Sequence, residues 1–128
     1  MRNSERRTPV ILVVDDDDGY RQLIRWALED EGFAVETAAN WTEALRNATR
    51  RPPALAIVDV ALPGANGIAL AHELRSATDE PIPIITITAD GSAEYKARQM
   101  QAVAWLAKPF NIDDLVATVT RVLTGRGN

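Results

Sequence analysis

Three short runs in this chain are apolar almost throughout: PVILVV (9–14), ALAIVD (54–59), which ends in an acid, and IPIITIT (82–88). A strand with one face in water alternates apolar and polar residues, whereas a continuous apolar run of this length suits a parallel strand covered on both faces. Helices have to supply that cover, and the intervening segments have helical spacing. YRQLIRWALEDE (20–31) puts Tyr20, Leu23, Ile24, Ala27 and Leu28 on one face, with Gly32 where a helix C-terminus sits. NWTEALRNATR (40–50) opens with Asn40 as N-cap and Glu43 three residues on, a capping box, and Pro52 and Pro53 stop it. IALAHELRS (68–76) and a weaker stretch over 92–100 follow. The last helix aligns Ile112, Leu115, Val116, Val119, Val122 and Leu123 and ends at Gly125. FAVETA (33–38) and AVAWL (102–106) complete the strands. Five strands alternating with five helices predict a doubly wound α/β domain with a five-stranded parallel sheet.

Composition narrows the class. With 46% apolar and 25% charged residues, the chain has the makeup of a globular domain rather than a disordered one. It has no cysteine, which excludes disulfides, thiolate metal sites and a cysteine nucleophile, and fits a reducing, cytoplasmic compartment. The polar start MRNSERRTP lacks the apolar centre of a signal peptide, and no run approaches membrane-spanning length. Net charge is −4, and Asp15 to Asp18 alone bring four negative charges. The acidity is therefore local, and the chain offers nucleic acid no attractive surface. One domain over 9–125 is expected, with 1–8 a flexible tail and 126–128 a loose end.

In an open α/β sheet, ligands sit beyond the carboxyl ends of the strands. The residues at those ends are Asp15 and Asp16, Asp59, Thr88 and Lys108. A carboxylate closing an apolar strand is expensive without a partner of opposite charge. Each residue also has a plainer reading. Asp17 and Asp18 favour the dipole of the first helix. Thr86 competes with Thr88, Lys108 alone would be a surface lysine, Trp105 alone could be packing, and His72 reads as a solvated helix residue rather than a phosphodonor.

Four motifs stand in order along the chain: VVDDD, IVDVALPGANG, ITITAD and WLAKPF. Together they resemble the receiver domain of two-component response regulators, chemotaxis-regulator-like, over nearly the whole length. The resemblance implies a flavodoxin-like sheet of order 2-1-3-4-5. It implies that Asp59 is the phosphoacceptor and that Asp15, Asp16, Asp59 and the Ala61 backbone carbonyl hold Mg²⁺, with Mn²⁺ as an alternative. Thr88 and Lys108 would contact the phosphoryl group, the Lys108–Pro109 bond would be cis, and Trp105 would be the switch residue alongside Thr88. The implied partners are a histidine kinase or histidine phosphotransfer protein and a downstream output protein or domain, with a homodimer through helix 4–strand 5–helix 5 open. No nucleic-acid or membrane contact is expected. The chain would be no conventional enzyme, although it would promote its own phosphoryl transfer and dephosphorylation, and it could be a stand-alone regulator or part of a longer protein.

The chemistry fits these residue types. A carboxylate can attack phosphorus, but anion must approach anion, so the reaction depends on positioning and on neutralising charge. Some features depart from the pattern: Gly19 in the first helical turn, Trp41 after the second strand, a short fourth helix, and MQAVAWL without the usual Gly-Ala-Asp. No clear apolar patch marks the output face. The resemblance implies that Ala61 and Asp90, two positions after Asp59 and Thr88, stand where the family tunes hydrolysis of its acyl phosphate, and a small Ala61 is expected to leave water access open. Two rival readings are a pseudo-receiver that only binds proteins and a phosphatase with an aspartyl nucleophile using Asp15 and Asp17. The phosphatase pattern fails at Gly19, which stands where Thr or Val belongs. A calcium loop with Gly19 sixth would need ligands at Val14 and Arg25, and is excluded.

Overall fold

The computed structural model describes residues 9–62, 67–79 and 81–125. The expected tails at 1–8 and 126–128, and the loop positions 63–66, lie outside the described residues. Strands and helices alternate: β1 (Val10–Val14), α1 (Asp18–Asp30), β2 (Ala34–Ala38), α2 (Trp41–Arg50), β3 (Leu55–Asp59), α3 (Gly67–Ser76), β4 (Ile84–Thr88), α4 (Ala93–Met100), β5 (Ala104–Ala107) and α5 (Ile112–Gly125). All neighbouring strands pair in parallel, in the order β2-β1-β3-β4-β5. This is the expected flavodoxin-like fold.

The apolar runs divide their side chains between two cores, as strand alternation requires. Leu12, Val14, Ala56, Val58 and Ile84 face Ala44, Ala48, Leu70, Leu74 and Met100 on the α2, α3 and α4 side. Ile11, Val13, Leu55, Ile57, Ile85 and Ile87 face Ile24, Leu28, Leu115 and Val119 of α1 and α5. Each fully enclosed Leu or Ile contributes about 1.5–3 kcal/mol of hydrophobic stabilisation. A polar substitution at Ile57, enclosed in the central strand, would break the fold.

Local signals set most boundaries. Asp17 caps α1, its carboxylate accepting the Tyr20 N–H. The helix therefore starts two residues before the apolar spacing does. Asn40 caps α2 by accepting the Glu43 N–H, while Glu43 reaches back to the Ala39 N–H rather than to Asn40's own. Gly32 takes φ 97° after α1, a left-handed conformation that suits glycine.

The sequence reading differs from the structure at several boundaries and on one helix face. β4 begins at Ile84 rather than at 82: Pro83 has no N–H and joins the ladder only through its carbonyl, which accepts from Ala56. β5 begins at Ala104 because Gln101, at φ 55°, and Ala102 still close the end of α4. Leu23, assigned to the core face of α1, is 39% exposed.

Candidate functional site

The carboxyl ends of β1, β3 and β4 and the turn after β5 form one rim. Asp15 follows β1 directly, and its N–H donates to the Ala38 carbonyl of β2, so its backbone extends the sheet by one residue. Its side chain is fully buried. Oδ1 accepts the Asp17 N–H at 2.9 Å, and the Asp15 carbonyl accepts from Arg21 Nη1 at 2.6 Å. Asp59 ends β3 and is also buried; its Oδ1 accepts the Ala61 N–H at 2.8 Å, which fixes the rotamer. Asp16, next along, is exposed.

Lys108 enters this group from β5. Its N–H donates to the Thr88 carbonyl, and its bond to Pro109 is cis, as the resemblance implied. The ammonium lies 2.7 Å from Asp15 Oδ2 and 3.0 Å from Asp59 Oδ2, with the lysine side chain only 8% exposed. Toward Asp59 it is aligned as a hydrogen-bond donor; toward Asp15 Oδ2 it sits at ion-pair distance without that alignment. The Tyr20 ring also lies against it, with Nζ 4.2 Å from the ring centroid.

Burial dominates the electrostatics of Asp15 and pushes its carboxyl above the usual range. Lys108 and the Asp17 N–H oppose that push, and the charge of Asp59 adds to it. Burial alone would lower the Lys108 ammonium, but its contacts with Asp15 and Asp59 prevail and hold it above its ordinary value. One ammonium therefore serves two buried carboxylates, with the exposed Asp16 carboxylate close beside them.

One oxygen from each of Asp15, Asp16 and Asp59 lies within 4.8 Å of the others. An all-oxygen, all-carboxylate set suits a hard divalent cation such as Mg²⁺ or Mn²⁺. The enclosed Asp15 Oδ2, with an ion-pair partner but no aligned donor, and the exposed Asp16 fit a cation reached from solvent. The three acids expected to hold a metal are thus brought together.

Thr88 ends β4 beside β3, fully buried, and its hydroxyl accepts the Asp90 N–H at 3.4 Å. The competing Thr86 is engaged elsewhere, its hydroxyl donating to the Ala93 carbonyl at 3.2 Å. Asp90, exposed, is held below the ordinary carboxylate range by hydrogen bonds from the Ser92 hydroxyl and N–H. His72 is exposed on α3, as read from the sequence. Asp17, which the phosphatase reading required at the reaction centre, serves instead as the α1 cap.

Trp105 pairs in register with Thr86 and is 46% exposed. Tyr95 of α4 and Val103, just before β5, are exposed as well. A shallow groove of about 260 Å³ runs between Val103, Ala104, Trp105 and Arg121. The sequence showed no such apolar surface, because MQAVAWL does not reveal which of its residues the sheet edge leaves uncovered.

Tyr20 and Arg21 were missed as site residues. Helical spacing assigned Tyr20 to the core, but one turn from Asp15 it sits at the rim. Arg75 of α3 was also missed. Its guanidinium donates to the Met100 and Gln101 carbonyls at 2.7 and 2.9 Å, tying α3 to the end of α4.

A family model described as the response regulator receiver domain matches residues 11–120. Among curated proteins, the transcriptional regulatory protein PrrA of Mycobacterium leprae is 36% identical over 122 residues, 94% of this chain and 52% of that protein. The phosphate regulon transcriptional regulatory protein PhoB of Rhizobium meliloti is 38% identical over 118 residues, covering 90% and 52%. The chain thus spans about half the length of the curated relatives it matches. The solved chemotaxis response regulator CheY4 of Vibrio cholerae is 36% identical and superposes with a TM-score of 0.81, covering 91% of this chain and all of that one. NtrX of Brucella abortus, solved with ADP, is 32% identical with a TM-score of 0.83, covering 93% of this chain and 28% of that one.

Proposed function

The chain belongs to the response regulator receiver family of two-component systems, and on that premise we propose that it is a phosphorylation-controlled switch with Asp59 as phosphoacceptor. The observation that carries the reading is the convergence of the Asp15–Asp16 pair, Asp59 and Lys108, from three distant stretches of the sequence, on one partly buried rim.

A phosphohistidine on a partner kinase or phosphotransfer protein is the donor. One Asp59 carboxylate oxygen attacks phosphorus, the P–N bond breaks, and the imidazole leaves. The Ala61 N–H holds the other carboxylate oxygen, so the attacking group is oriented before the donor arrives. Asp15, Asp16, Asp59 and the Ala61 carbonyl would hold Mg²⁺ or Mn²⁺, which when bound offsets charge on the phosphoryl oxygens. Lys108 moves from its carboxylate partners to a phosphoryl oxygen, and the Thr88 hydroxyl turns toward another. Lys108 N–H is bonded to the Thr88 carbonyl, so the two respond as a unit.

The new charge biases the segment after β4, and with it Trp105, between two arrangements. The exposed Tyr95 of α4, Val103 just before β5 and Trp105 of β5 give this face apolar side chains on which an output partner, or a second copy, can form contacts. Ala61, small and exposed, leaves water open access to the acyl phosphate.

Incubation with acetyl phosphate and Mg²⁺ should yield an acid-stable, base-labile phosphoryl adduct that peptide mapping locates on Asp59. An unmodified Asp59, with Thr88 and Lys108 intact, rejects the assignment.

A further inference from the structure

Lys108 is held by three partners, and only two of them are acids. The third is the face of Tyr20, whose ring centroid lies 4.2 Å from Nζ. The start of α1 is built to put that ring there. Asp15 Oδ1 fixes the Asp17 N–H, and Asp17 Oδ1 accepts the Tyr20 N–H at 3.0 Å. Residue 19 is glycine, and a Cβ there would lie only 3.1 Å from that capping oxygen. Phe110, two residues after Lys108, backs the ring at 5.6 Å between centroids. Tyr20 is thereby fixed from its own helix and from the turn that carries the lysine.

From this geometry we infer that Tyr20 is a positioning residue for Lys108, holding the ammonium at the rim when its carboxylate partners are otherwise engaged. The inference rests on reading Asp59 as the acceptor. Asp15 and Asp59 are also candidate metal ligands, and a divalent cation beside them weakens their pull on the ammonium. Lysine is a strongly hydrated cation on a flexible four-carbon stem, so losing that pull favours a swing into water. The attraction of an aromatic face comes from its quadrupole and does not depend on the state of the acids. Tyr20 keeps Lys108 within reach of an incoming phosphoryl oxygen at the moment the acids release it. A ring that only fills space would leave Lys108 indifferent to its aromaticity.

The test uses the full chain as wild type, Tyr20→Phe, which keeps the ring, and Tyr20→Leu, which keeps an apolar side chain without it. In the Mg²⁺-saturated proteins, NMR should find the Lys108 Hε protons shifted upfield by the ring in wild type and Tyr20→Phe, and at solvent-like values in Tyr20→Leu. The rate of Asp59 phosphorylation by acetyl phosphate should fall about threefold to tenfold in Tyr20→Leu and stay near wild type in Tyr20→Phe. Solvent-like Lys108 shifts in Mg²⁺-saturated wild type overturn the inference, and that measurement needs neither variant to fold. Equal rates in wild type and Tyr20→Leu also overturn it, as does a Tyr20→Phe rate as low as that of Tyr20→Leu. A wild type that is never phosphorylated refutes the acceptor reading instead, and the NMR result then decides the Tyr20 inference alone.

Discussion

Replacing Lys108 by methionine keeps an unbranched apolar side chain and removes the charge. The lysine side chain is 8% exposed, and its ammonium lies 2.7 and 3.0 Å from the buried Asp15 and Asp59. Breaking a buried ion pair by deleting one partner costs about 3–5 kcal/mol, because the remaining charge is stranded in a poorly solvated place. Two carboxylates would be stranded here, but the exposed Asp16 edge admits water and protonation relieves part of the strain. The cost should fall near the lower bound, about 3 kcal/mol. For 128 residues, at roughly 2 cal/mol/K of unfolding entropy per residue, each kcal/mol moves the midpoint by about 4 °C. The metal-free Lys108→Met protein should therefore melt roughly 12 °C below wild type. Added Mg²⁺ restores positive charge between the acids, so its stabilising effect should be larger in the variant than in wild type. Scanning calorimetry with and without Mg²⁺ reads both quantities. A metal-free loss below about 1 kcal/mol, the range of exposed pairs, would refute the reasoning, as would a Mg²⁺ increment no larger than that of wild type.

Three further outcomes follow from the same contacts. Asp59→Asn should raise the metal-free melting temperature by a few degrees, since close like charges repel by about 1 kcal/mol or more, and should shrink the Mg²⁺ increment; an unchanged or lower midpoint by thermal circular dichroism contradicts this. Burial holds Asp15 above its ordinary 3.8, so folded protein binds that proton more readily than unfolded, and the ionised form costs stability that recedes as pH falls through the raised value. The metal-free stability advantage of Asp15→Asn over wild type, from urea titrations, should accordingly narrow on acidification, and a widening gap would show the sign to be wrong. Arg75→Met removes two donors to the Met100 and Gln101 carbonyls, costing about 1–2 kcal/mol; hydrogen exchange should quicken at the C-terminal end of α4, and uniform protection across variants would remove that role.

Much of the fold could be read from the chain because its signals are local. A continuous apolar run suits a strand covered on both faces, and Asn40 with Glu43, or Asp17 ahead of α1, mark helix starts through hydrogen bonds spanning three residues. The acids were legible because charge at the end of a buried strand demands an explanation. What escaped the reading is long-range. Nothing in YRQLIRW says that the Tyr20 ring leans on a lysine 88 residues later, or that Arg75 reaches across to close another helix. Leu23 fits the helical spacing of the core face, yet only the placement of neighbouring elements leaves it 39% exposed. The start of β5 escaped for the opposite reason: its apolar letters extend to Ala102, but backbone bonds assign that residue to the end of α4.

The most direct test of the central claim is a crystal structure with Mg²⁺ and beryllofluoride. It should show the cation among Asp15, Asp16, Asp59 and the Ala61 carbonyl, the fluoride on Asp59, and Lys108 and Thr88 both contacting it. A rim that binds neither, with Lys108 turned out to solvent, would contradict the account.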